Sequence, residues 1–156
     1  MKSRLIASLG LSVAVVLGAT GCAFGTPQST QIQYSAAEGV NVYDAGPLEV
    51  RNAFIVADEE GTLGNFVAAI VNDTDDSHTL SVTIGEGDTV ELSIRVPART
   101  VISLGSEETD AIEVEGVEML PGADIPGFFA SGDETGALVS LPILDGELDH
   151  LSDLVP

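Results

Sequence analysis

Cys22 is the single cysteine of the 156-residue chain, and the residues before it decide what its sulfur can do. Lys2 and Arg4 make a short positive start, residues 5–17 are largely apolar, and Gly18, Ala19, Thr20 and Gly21 lead into Cys22 with small side chains. That order is the one of a secretory signal ending at a lipid-attachment cysteine. Gly21 supplies the small residue that processing needs beside the sulfur, while Ala19 stands where such signals usually carry Leu. A membrane span needs ~20 apolar residues, and Ser8, Gly10, Ser12 and Gly18 interrupt this run first. An ordinary signal-peptidase cut near Gly21-Cys22-Ala23 is the competing reading. Thioether-linked lipid removes a lone thiol that is a liability outside the cell. Cys22 is therefore expected to be a membrane anchor, not a nucleophile or a metal ligand.

Asp73, Asp75, Asp76 and His78 crowd one polar turn. Their oxygens at alternating positions suit a calcium ion, which takes six to eight oxygen ligands, but the turn lacks the glycine and distal Glu of an EF-hand loop. Asp and Asn also favour turns for their own backbone hydrogen bonds, so an acidic hairpin turn explains the same residues. Asn72-Asp73-Thr74 fits the N-glycosylation acceptor pattern, a short match that arises often by chance. Glu107, Glu108 and Asp110, followed by Glu113, Glu115 and Glu118, form an acidic stripe. Read as a strand, its Glu residues are a solvated face.

Nucleophilic hydrolysis needs a base beside Ser, Thr or Cys, and only His78 and His150 are available. No Gly-x-Ser-x-Gly turn, His-Glu-x-x-His pair or phosphate-cradling glycine loop occurs. Abundant acids leave a two-carboxylate glycosidase open, yet the chain has no Trp to stack a sugar ring. The expected protein is not an enzyme and carries no resident cofactor, calcium being the one ion its residues invite.

Charge narrows the partners. Removing residues 1–21 leaves Arg51, Arg95 and Arg99 against all 25 Asp and Glu, a formal charge of −22 without a single lysine. Nucleic acids and anionic head groups are bound through Lys and Arg, so such a field excludes nucleic acid as a partner. Each arginine is expected to be held by neighbouring carboxylates, where it offsets like-charge repulsion.

The elements that must position these residues are strands. Residues 23–33 are small, polar and aperiodic, a tether reaching ~30 Å at most at ~3.3 Å per residue. From Leu48 onward apolar residues recur at every second position, the period of a strand. Leu48, Val50, Phe54 and Val56 are read as one face, with Glu49 and Arg51 on the other. Residues 66–71 are apolar on both faces, as a central strand is. Residues 80–84 and 90–96 alternate cleanly, residues 98–104 follow Pro97, and residues 112–115 and 137–144 close the series. Turn residues at 59–61, 72–76, 85–88 and 121–122 separate them. The organisation expected is a signal peptide at 1–21, a lipidated cysteine and tether at 22–33, a β domain at 34–144 and an acidic tail at 145–156. Leu148, Leu151 and Leu154 in that tail have roughly helical spacing, but the tail is too short for a stable helix of its own. The fold class expected is all-β, an antiparallel sandwich of about seven strands, Ig-like or cupredoxin-like.

Three stretches carry a family resemblance: residues 34–41 (YSAAEGVN), 50–56 (VRNAFIV) and 69–74 (AIVNDT). Together they resemble the small actinobacterial lipoproteins of the LpqE type. That group is distantly similar to the periplasmic copper chaperones called PCu(A)C, whose cupredoxin-like sandwich holds Cu(I) through a His-x-Met pair and further His and Met. The matching stretch here is residues 111–118, AIEVEGVE, followed by Leu120-Pro121-Gly122. Ala111 stands in the place of the His and Glu113 in the place of the Met. Cu(I) prefers thioether and imidazole to carboxylate, and Met119 is the one methionine of the mature chain. The resemblance implies the chaperone fold without the chaperone's copper ligands. The function expected is a non-enzymatic binding or scaffolding module, tethered by lipid to the extracytoplasmic face of the cell membrane and facing another envelope component. A metal-handling lipoprotein, copper-chaperone-like or calcium-binding, is the alternative.

Overall fold

The computed structural model describes residues 4, 6, 8, 10–12, 15, 37–133 and 135–156. Cys22 and the tether lie outside the described residues. The chain divides into two compact units, residues 1–34 and 35–156. In the first, the described residues are helical, and no helix among the described residues is long and apolar enough to cross a membrane.

The second unit is all-β. Its nine strands among the described residues are β1 (Val40–Ala45), β2 (Leu48–Ala57), β3 (Leu63–Asn72), β4 (His78–Ile84), β5 (Val90–Val96), β6 (Thr100–Leu104), β7 (Ile112–Glu115), β8 (Asp124–Ser131) and β9 (Ala137–Leu144). Hydrogen bonding runs in the order β5-β4-β8-β9-β2-β3-β6, with β1 on β2 and β7 on β3. Neighbours pair antiparallel except β2 and β9, which run parallel through Ile55↔Ile143 and Val56↔Leu144. The sheet is therefore mixed, and its one parallel joint lies between two halves. The first holds β1, β2, β3, β6 and β7, and the second holds β4, β5, β8 and β9.

The halves fold face to face. Phe66 in β3 and Phe129 in β8 are three strand positions apart, about 14 Å in a flat sheet at ~4.8 Å per strand, yet their ring centroids are 6.2 Å apart. The core between them takes every second residue of each strand, including Leu80, Val82 and Ile84 of β4 and Leu141 and Ile143 of β9. This is the alternation that the sequence carries.

In β2 the alternation breaks. Arg51 pairs with Ala69 and Phe54 with Val67, so Asn52 and Ala53 share one opposite residue, a β-bulge. Asn52 takes φ 51°, a left-handed conformation that Asn tolerates. It is held on both sides: Asn41 Oδ1 accepts its N–H at 2.9 Å, and its own Oδ1 accepts the Gly39 N–H at 2.7 Å. One extra residue reverses the faces beyond it. Leu48 and Val50 enter the main core, but so do Ala53, Ile55 and Ala57. Phe54 and Val56, expected beside Leu48 and Val50, turn to the opposite face.

There they meet the tail. Leu151, 2% exposed, packs with Phe54, Val56 and Val67, flanked by Leu144 and Leu154. Asn65 Nδ2 donates to the Leu154 carbonyl at 2.9 Å. His150 Nε2 and Glu38 Oε1 are 3.1 Å apart. The tail forms only a short 3₁₀ turn at Ser152–Leu154, but packing orders it where helix propensity does not.

Candidate functional site

The acidic turn between β3 and β4 is built by Asn72, which is fully buried. Its Nδ2 lies within bonding distance of the carbonyls of Asp76 (2.8 Å), Val96 (3.2 Å) and Pro97 (2.9 Å). Its Oδ1 accepts the Thr74 N–H at 3.0 Å and the Thr74 hydroxyl at 2.7 Å. An amide spent in this way and closed to solvent cannot accept a glycan, so the Asn72-Asp73-Thr74 match is structural. Asp75 faces Arg99, whose Nε and Nη2 each approach Asp75 Oδ1 at 2.9 Å. His78 is the first residue of β4, paired with Val96. Asp73, Asp75, Asp76 and His78 thus share a turn whose order comes from Asn72. Among the described residues no three His, Cys, Asp or Glu side chains stand together closely enough to hold a metal ion.

The tail side of the first half carries a different arrangement. A hollow of about 560 Å³ opens where the loop after β6, the start of β7 and the tail meet. Glu107, Asp110 and Glu113 line it from one side and His150 and Asp153 from the other, with Ala111 in its wall. Part of the acidic stripe is therefore the wall of a cleft, and part of it, such as exposed Glu115, is solvated face. Ala111 and Glu113 are the positions where the resemblance places a His and a Met. The lining has no Phe, Tyr or Trp, the rings that usually stack a sugar. Sequence reasoning left His150 unassigned because 112 residues separate it from Glu38, its ion-pair partner.

Two carboxylates sit below their ordinary range. Glu38 is lowered by its backbone hydrogen bond, with partial burial opposing it and His150 assisting. Desolvation pushes Asp58 up, but its bonds with the Thr62 hydroxyl and the N–H groups of Thr62, Leu63 and Gly61 outweigh that and pull it down. Asp58 thereby closes the β2–β3 turn. Glu49 raises the Arg51 guanidinium by a hydrogen bond and by charge, at 2.7 Å. Arg95 departs from the expected pairing: Ser77 Oγ accepts from its Nη2 at 2.9 Å, and among the described residues no carboxylate reaches it.

No protein-family model and no curated protein matches the sequence. Solved structures do match the fold. The copper-bound PCuAC domain from PmoF2 aligns at TM-score 0.51 and 13% identity, over 68% of this chain and 99% of that one. The fold is similar to that of a PCuAC domain. The apo PmoF2 PCuAC domain aligns at TM-score 0.53 and 14% identity, over 70% of this chain and 98% of that one. At that identity the likeness extends to the sandwich and not to the ligands. Met119, the one methionine of the β domain, is 0% exposed. An added Cβ on Gly64 would lie 3.0 Å from its sulfur, so the thioether plugs the core against β3. Among the described residues no thioether is placed to hold Cu(I).

Proposed function

We propose that this protein is an extracytoplasmic, lipid-anchored module of copper-chaperone-like fold that binds and hands on a cargo without turnover. The observation that supports it most is the extent of the likeness, since nearly the whole length of both PCuAC domains is matched by one part of this chain. The cargo reading takes a particular form. Imidazole and carboxylates suit Cu(II) better than Cu(I), and the hollow beside the tail offers His150 with Asp153, Glu107, Asp110 and Glu113 in its lining. These side chains line the space without three converging, so His150 and one carboxylate would hold an ion loosely, as a carrier that releases its load does.

Calorimetry of the full chain with Cu(II), with Cu(I) under reducing conditions and with Ca(II) tests this. Heat is expected from Cu(II), and its loss in His150→Ala. Heat from calcium that is lost in Asp75→Asn would move the site to the β3–β4 turn. Silence from all three ions would end the metal reading and leave a binding or scaffolding module. Mass spectrometry of the membrane fraction tests the anchor, which requires an acylated Cys22; an unmodified cysteine would remove it.

A further inference from the structure

The outward face of the second half differs from the rest of a strongly acidic molecule. Of the 25 Asp and Glu, Glu91 and Asp124 alone lie in β4, β5, β8 and β9. Its centre is apolar: Phe128 and Leu138 are direct cross-strand partners and are 37% and 71% exposed. An added Cβ on Gly136 would come 2.6 Å from Phe128 Cζ, so the ring leans over that glycine toward the neighbouring row. That row is small: Ser93 pairs with Ser81, and Ser81 with Ala130. Flanking it on β5 are the exposed Glu91 and Arg95, two residues to either side of Ser93.

We infer that this face is where a second copy of the chain docks, about a two-fold axis running along the Ser93–Ser81–Ala130 row. Rotation about that axis lays Glu91 of one copy against Arg95 of the partner subunit and Arg95 against the partner subunit's Glu91. A two-fold contact has this self-complementary form. It also gives Arg95 a carboxylate, which none of the described residues of its own chain supplies. Two bodies of charge −20 repel each other, and a face that is nearly free of unbalanced acid lets them meet. Four strands of seven or eight residues span about 19 by 24 Å, roughly 450 Å² in projection per copy. That is near the low end of specific interfaces, which bury ~800 Å² of accessible surface per partner, so the dimer is a weak, exchanging one.

Light scattering of the full chain in detergent micelles across a concentration series reads the association. Dimer is expected to form, and to form more readily as salt screens the overall repulsion. Phe128→Ser with Leu138→Ser should weaken it about tenfold or more, as removal of large apolar anchors does. Glu91→Arg and Arg95→Glu should each weaken it, and the two together should restore it. Circular dichroism melts confirm that each variant stays folded, as exposed positions allow. A monomer at every concentration, or a dimer indifferent to these changes, overturns the inference. So does a monomer that sediments with uncharged phosphatidylcholine vesicles through Phe128 and Leu138, since that result assigns the face to lipid.

Discussion

The outer face of the first half is roofed by the chain's own last residues, whereas the outer face of the second half is bare. Phe54, Val56 and Val67 would be exposed on the first, and Leu151 covers them. Phe128 and Leu138 are exposed on the second, with no element among the described residues covering them. The two faces teach the same lesson in opposite senses: an apolar row on a sheet needs a cover, supplied in one case from within the molecule. The covered side also gains the cleft with His150, because a tail that seals the middle of a sheet leaves a margin at its edge.

The comparison can be broken or sharpened in order of expected effect. Phe129→Ala removes the ring shared by both halves and should cost about 3–5 kcal/mol, measured by urea unfolding; a small loss would mean that the halves do not depend on a common core. Leu151→Ala should cost about 2–3 kcal/mol and expose Phe54 to hydrophobic dye binding. If it costs nothing, the tail is an ornament and the two outer faces are alike. Asn72→Ala leaves three carbonyls and Thr74 without their partner, for about 1–3 kcal/mol, and should loosen the β3–β4 turn by hydrogen exchange while leaving the tail protected.

Acid gives a smaller effect with a definite sign. Asp58 and Glu38 have folded values below their unfolded ones, so their stabilisation is present above the ordinary carboxylate range and is lost as pH falls through the folded values. The urea midpoint should drop below about pH 4, less steeply in Asp58→Asn. Smallest of all, Leu138→Ser should change the stability of the monomer by less than about 0.5 kcal/mol, since Leu138 is 71% exposed. A large loss there would mean that the bare face has a cover after all.

Seven of the nine described strands are legible in the sequence, most plainly where period two survives, as in Val90, Leu92, Ile94 and Val96. The sequence hid β8, whose Pro126 and Gly127 are residues that strands disfavour. Pro126 is tolerated because its carbonyl accepts from the Gly85 N–H, at 2.9 Å. Its missing N–H therefore points to the same side, just past the last β4 pair, Ile84↔Gly127. It hid β1 as well, a short strand with Asn41 and Asp44 whose partner register slips twice. The β3–β4 turn was legible as a turn, while the cleft at His150 was not. Its walls come from three distant parts of the chain, and no local pattern links them.

The Asn52 bulge has a consequence for how this domain can vary. Adding or dropping a single residue in β2 acts like a frameshift written in three dimensions, exchanging Ile55 for Phe54 and Ala57 for Val56 between the main core and the tail's seat. The length of the strand at that point is fixed by two separate oily compartments that must be served in turn.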